Sequence, residues 1–125
     1  MARPPTTLIN HITRGQRAYP EARGSFTALM QAMALAAKVI SREVNRGGLG
    51  DLLGSAGRKN VQGETVMALD EFANDTLIDI LSRCGEVCAI GSEELAVPIR
   101  LPSAEDPAQY AVAFDPLDGS SNIDV

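Results

Sequence analysis

Apolar positions along the chain fall at helical spacing in two stretches and in strand-like runs in two others. Over residues 24–46, Phe26, Leu29, Met30, Met33, Ala37, Ile40 and Val44 recur at steps of three and four, which predicts a helix with one apolar face. Ser25 or Thr27 is placed to cap its start, and Gly47 with Gly48 to end it. A second helix is predicted over 66–83, with Leu69, Phe72, Ala73, Leu77, Ile80 and Leu81 facing inward and Asp70 and Asn74 one turn apart beside that stripe. "VCAI" (87–90) then reads as a short buried strand leading to Glu93 and Glu94, and "YAVAF" (110–114) as a second strand leading to Asp115. The proline-rich segment between them leaves room for a short edge strand. At the other end, "RPP" forbids a helix start before Thr6 or Thr7, so residues 1–10 read as a loose or partner-dependent arm within a 1–23 N-terminal arm. Helix, helix, strand, strand predicts an α/β or α+β layered domain.

Six glycines lie between Arg46 and Glu64. Gly48-x-Gly50 is not a dinucleotide-binding turn, which needs a strand before it and a helix after it. The stretch 47–63 is expected to be a loop, either an active-site lid or a plain linker.

The 125 residues include 45% hydrophobic and 22% charged side chains, ordinary for a soluble globular domain. No apolar run approaches the length of a membrane helix, and the N-terminus lacks the apolar core of a secretory signal. Cys84 and Cys88 alone make a disulfide scaffold a poor fit, so the expected compartment is a reducing cytoplasm. Net charge is −5, but unevenly spread: residues 1–63 hold nine Lys/Arg and three acids, residues 64–125 two Arg and thirteen acids. Either the acids are a solvated surface or some of them gather around cations. Position decides between these readings. Glu93 and Glu94 end one strand; Asp115 and Asp118 end another, with Pro116 suited to a tight turn between them. If the strands are neighbours, Glu93 joins Asp115 and Asp118, and crowded carboxylates favour a cation among them. An all-oxygen ligand set suits Mg²⁺ or Mn²⁺ rather than Zn²⁺. Gly119, Ser120 and Ser121 then offer N–H groups and hydroxyls to a phosphate. The alternative for "DPLDG" by itself is a polar turn and nothing more.

"FDPLDGSSNID" resembles the signature of class 1 fructose-1,6-bisphosphatase, within the metal-dependent sugar- and inositol-phosphatase superfamily. "GSAGRKNVQGE", "LDEFAND" and "SEE" are similar to further family segments in the same order, so the resemblance covers about residues 24–125. It implies an α/β (α+β) layered sandwich of the sugar-phosphatase type of which this chain is the N-terminal part, inactive alone, with 64–125 as the metal and phosphate half. It also implies Mg²⁺, two or three ions per site with Mn²⁺ as a substitute, held by Glu93, Asp115, the Leu117 carbonyl and Asp118. Asp70 and Glu94 match acids that orient and deprotonate the attacking water, and Asp118 to Ser121 match the seat of the sugar 1-phosphate. Without the resemblance, Asp70 reads as a helix-dipole partner. Glu64 stands where many relatives have aspartate.

The activity so implied is hydrolysis of the 1-phosphate of fructose 1,6-bisphosphate by a cytoplasmic homotetramer, with a sugar bisphosphate as partner and neither nucleic acid nor membrane. Alternatives are a sedoheptulose-bisphosphate or inositol-phosphate phosphatase, or a non-catalytic Mg²⁺- and phosphate-binding module. Gly24, Thr27 and Tyr110 fit the family's AMP site. Ser25 and Gln109 replace an acid and a lysine common there, so weak or absent AMP control is expected.

Overall fold

The computed structural model describes residues 4–52, 59–102 and 110–118, with the side chains of 47–52 and 59–67 left aside. Three helices precede a small sheet: α1 (Leu8–Gln16), α2 (Ser25–Leu52), α3 (Lys59–Arg83), β1 (Val87–Ser92), β2 (Ile99–Arg100) and β3 (Tyr110–Phe114). The sheet order is β2-β1-β3. β1 runs antiparallel to β2 and parallel to β3, with Ala89 opposite Ala111 and Ser92 opposite Phe114. Mixed helices and sheet agree with the layered class expected.

One core joins the layers. Leu29, Ala32 and Ala36 of α2 meet Leu77 and Leu81 of α3 and Val87 and Ile90 of β1. Ala36, Leu81 and Ile90 are wholly buried. The α2 contact runs through two alanines, whose small side chains let α2 and α3 approach closely, while Phe26 and Ala37, expected inside, are exposed. Phe26 instead tilts against Tyr110, ring centroids 6.5 Å apart. On α3 the predicted stripe holds except for Phe72, which is 36% exposed at its edge.

Several element boundaries depart from expectation. From Leu8 on, the expected arm is helical: Thr7 caps α1 by accepting from the Asn10 N–H at 3.2 Å, just after the two prolines, and Ile12 is buried. The start of α2 is capped by neither Ser25 nor Thr27. Gly24, at φ 86°, takes that position and its carbonyl accepts from the Ala28 N–H at 2.9 Å. The Thr27 hydroxyl accepts from the Gln16 amide instead. α2 continues through Gly47, Gly48 and Gly50 to Leu52, and α3 begins at Lys59 rather than near Val66, so both ends of the expected 47–63 loop are helical. Glycine weakens a helix by about 1 kcal/mol relative to alanine, but unlike proline it keeps its N–H and leaves the ladder intact. Residues 53–58, the middle of the expected lid or linker, lie outside the described residues. At the other end of α3, Gly85 at φ 79° turns the chain out of the helix into β1. β1 itself runs two residues past Ile90 to Ser92, which brings Glu93 directly beyond the strand.

Candidate active site

Parallel pairing decides where the acids go. Because β1 and β3 run the same way and end opposite each other at Ser92 and Phe114, Glu93 and Asp115 emerge side by side at one edge of the sheet. The Glu93 N–H donates to the Phe114 carbonyl at 3.2 Å, extending the ladder one step into the turn. Beyond β3 the chain bends at once: Asp115 Oδ1 accepts from the Leu117 N–H at 3.2 Å, Pro116 is buried beneath the turn, and Asp118 comes back exposed on the same side. The expected neighbour relation between the two strands, and with it the meeting of the two acidic ends, is present.

Glu93 feels the other three acids. The Glu93 carboxyl is held above the ordinary glutamate range, first by the negative charge of Asp115 and a hydrogen bond between the two carboxyls, then by slight desolvation and the charges of Glu94 and Asp118. Glu93, Glu94, Asp115 and Asp118 are all exposed. Their oxygens, with the Leu117 carbonyl in the same turn, are hard donors of the kind that Mg²⁺ and Mn²⁺ take, and their mutual repulsion is what a divalent ion would relieve. Among the described residues no three His, Cys, Asp or Glu side chains already stand at chelating spacing, so the acids are gathered without forming a finished cage.

Asp70 sits apart on α3, half-buried, with its Oδ1 closed off from solvent and lacking a hydrogen-bond partner among the described residues. One turn further along, Asn74 is only 7% exposed. Its Oδ1 accepts from the Ser92 hydroxyl at 2.6 Å, and the Ser92 Oγ in turn accepts from the Glu94 N–H at 3.3 Å. Ser92 carries no role in the sequence reading and Asn74 is only placed beside the stripe. The available signal is a single amide among the apolar inward positions of α3. Gly119, Ser120 and Ser121 lie outside the described residues.

Away from the acids, a concavity of about 720 Å³ opens between α1 and the start of α2, lined by His11, Gln16, Arg23, Gly24, Phe26 and Tyr110 among others. It brings together Gly24 and Tyr110, two of the residues that resemble the family's AMP site. Among the described residues no helix is long and apolar enough to cross a membrane.

Known proteins are similar to this chain. The family model described as "Fructose-1-6-bisphosphatase, N-terminal domain" matches residues 6–125. A relative from Oleidesulfovibrio alaskensis named fructose-1,6-bisphosphatase class 1 is 51% identical over 119 residues, which is 95% of this chain and 35% of that protein. One of the same name from Sulfurihydrogenibium sp. is 50% identical over 125 residues, all of this chain and 38% of that protein. The crystal structure of Leishmania major fructose-1,6-bisphosphatase in holo form superposes with a TM-score of 0.74 at 38% identity, covering 97% of this chain and 34% of that one. The chain thus spans about a third of the length of the relatives it matches.

Proposed function

Since this chain belongs to the fructose-1,6-bisphosphatase family, we propose that it supplies the metal and 1-phosphate half of an enzyme that hydrolyses fructose 1,6-bisphosphate to fructose 6-phosphate and phosphate. The observation that carries this reading is the parallel β1–β3 pairing, which sets Glu93 beside Asp115 and raises the Glu93 carboxyl toward its proton-bearing form. Glu93, Asp115, the Leu117 carbonyl and Asp118 are the proposed holders of Mg²⁺. Bound there, divalent ions would polarise the phosphoryl oxygens and neutralise charge building on them.

The residues of the chain have separable parts in that chemistry. Glu94 and Asp70 orient the attacking water, and a carboxylate oxygen accepts its proton as the phosphorus–oxygen bond to the sugar breaks. Among the described residues nothing donates a hydrogen bond to the Asp70 Oδ1, so no structural hydrogen bond competes with this role there. Asp118 ends the turn next to Gly119, Ser120 and Ser121, the proposed seat of the 1-phosphate.

Titrating Mg²⁺ while following phosphate release from fructose 1,6-bisphosphate, on the longest form the gene encodes, tests the assignment. Asp118→Asn removes a charge that balances the ion, so kcat should fall by at least about 10²–10³ and the Mg²⁺ half-saturation should rise. Glu94→Gln should lower kcat with Mg²⁺ half-saturation largely kept. Near-normal kcat and Mg²⁺ dependence in Asp118→Asn would reduce "DPLDG" to a turn.

A further inference from the structure

Resting on that reading, we propose that Asn74 is a positioning residue for the carboxylates at the end of β1, acting through the Ser92 hydroxyl. Glu93 and Glu94 sit in an exposed turn, where two long acidic side chains repel each other and nothing apolar fixes them. Their backbone N–H groups, however, are tied to two different elements. Glu93 donates to Phe114 at the end of β3 at 3.2 Å, and Glu94 donates to Ser92 Oγ at 3.3 Å. A serine hydroxyl has a single proton, and this one goes to Asn74 Oδ1 at 2.6 Å. With its proton committed to α3, the Ser92 oxygen is left to accept, and the Glu94 N–H is what it accepts from. Asn74 therefore sets the direction of the whole relay.

The burial of Asn74 argues the same way. It is 7% exposed on a helix face otherwise made of Ala73, Leu77 and Leu81. A buried amide costs stability unless it is satisfied, and a dry surrounding makes the bond it forms stiffer. Asp70 lies one turn earlier on the same helix, so this bond links the element carrying Asp70 to the turn carrying Glu93 and Glu94. The spacing between the water-handling acids of α3 and β1 is held by Asn74 and Ser92.

The test uses the longest form the gene encodes, with Asn74→Ala, Ser92→Ala, the double variant and Ser92→Thr, which keeps the hydroxyl. Mn²⁺ binding is measured by titration calorimetry without substrate, and phosphate release from fructose 1,6-bisphosphate over a Mg²⁺ series. Either alanine variant should lower kcat about 10- to 100-fold, the scale of a small misplacement of reacting groups. Each should also weaken Mn²⁺ binding and raise Mg²⁺ half-saturation, with KM for the sugar little changed. The double variant should be no worse than the single ones, since both break one path, and Ser92→Thr should restore most of the loss. The proposal is overturned if Mn²⁺ affinity and Mg²⁺ half-saturation stay at wild-type values, or if the two losses add. Should Asn74→Ala fail to fold, Ser92→Ala carries the same comparison. A wild type that releases no phosphate sinks the assigned reaction, yet the Mn²⁺ comparison still decides the role of Asn74. A wild type that binds no Mn²⁺ leaves nothing to position and overturns it as well.

Discussion

At the end of β1, Glu93 takes up a proton more readily than a free glutamate because Asp115 faces it across the strand ends. A carboxyl whose folded pKa is raised favours the fold while protonated. That contribution is complete below its ordinary value of 4.5 and is lost as pH rises through the raised value. Without divalent ions, Glu93→Gln should therefore raise the melting temperature at pH 7 and bring no gain near pH 4. Both groups are exposed, so solvent screens the effect and roughly 1 M salt should shrink it further. Saturating Mn²⁺ should reverse the order at pH 7, because the carboxylate that repels its neighbour is then a ligand. Equal melting temperatures at both pH values would mean that Asp115 and Glu93 do not interact.

Each element hangs on a few positions. Leu81, wholly buried where α3 meets α2 and β1, should cost about 2–5 kcal/mol as Leu81→Ala. Gly85 ends α3 at φ 79°, and a Cβ there would meet nothing within 4 Å. Gly85→Ala should therefore cost only the backbone strain, about 1–2 kcal/mol, and urea unfolding at constant m-value separates the two cases. How far such features could be read beforehand depends on how local they are. The α3 stripe and the two strands were legible because their spacing lies within one element. The ends of α2 and α3 were not, since glycine weakens a helix without stopping it. The prolines mark the earliest start of α1, but Leu8, Ile9 and Ile12 make too short an apolar face to announce a helix there, although Thr7 carries its cap. Glu93, Glu94, Asp115 and Asp118 were legible as chemistry, whereas their meeting depended on two strands pairing across the chain. The Asn74–Ser92 bond was out of reach, because nothing in either residue's own neighbourhood names the other.

The whole molecule divides its charge as it divides its structure. The first 63 residues, with α1 and α2, carry the excess of Lys and Arg, and the half with the sheet carries thirteen of the sixteen acids. Within that half, β1 lies between an antiparallel partner of two residues and a parallel partner of five. The parallel pairing has a kinetic consequence. α2 and α3 follow each other along the chain, but β3 must return past β2 before it can lie beside β1, a non-local step of the kind that slows folding. Glu93 and Asp115 stay apart until that step is complete, so their repulsion belongs to the native state more than to the barrier before it. A divalent ion held between them should then slow unfolding and leave the folding rate almost unchanged. In a chevron plot, Mg²⁺ should lower the unfolding limb alone; an equal rise of the folding limb would show that the two strand ends meet early, with the acids already side by side as the chain crosses its barrier.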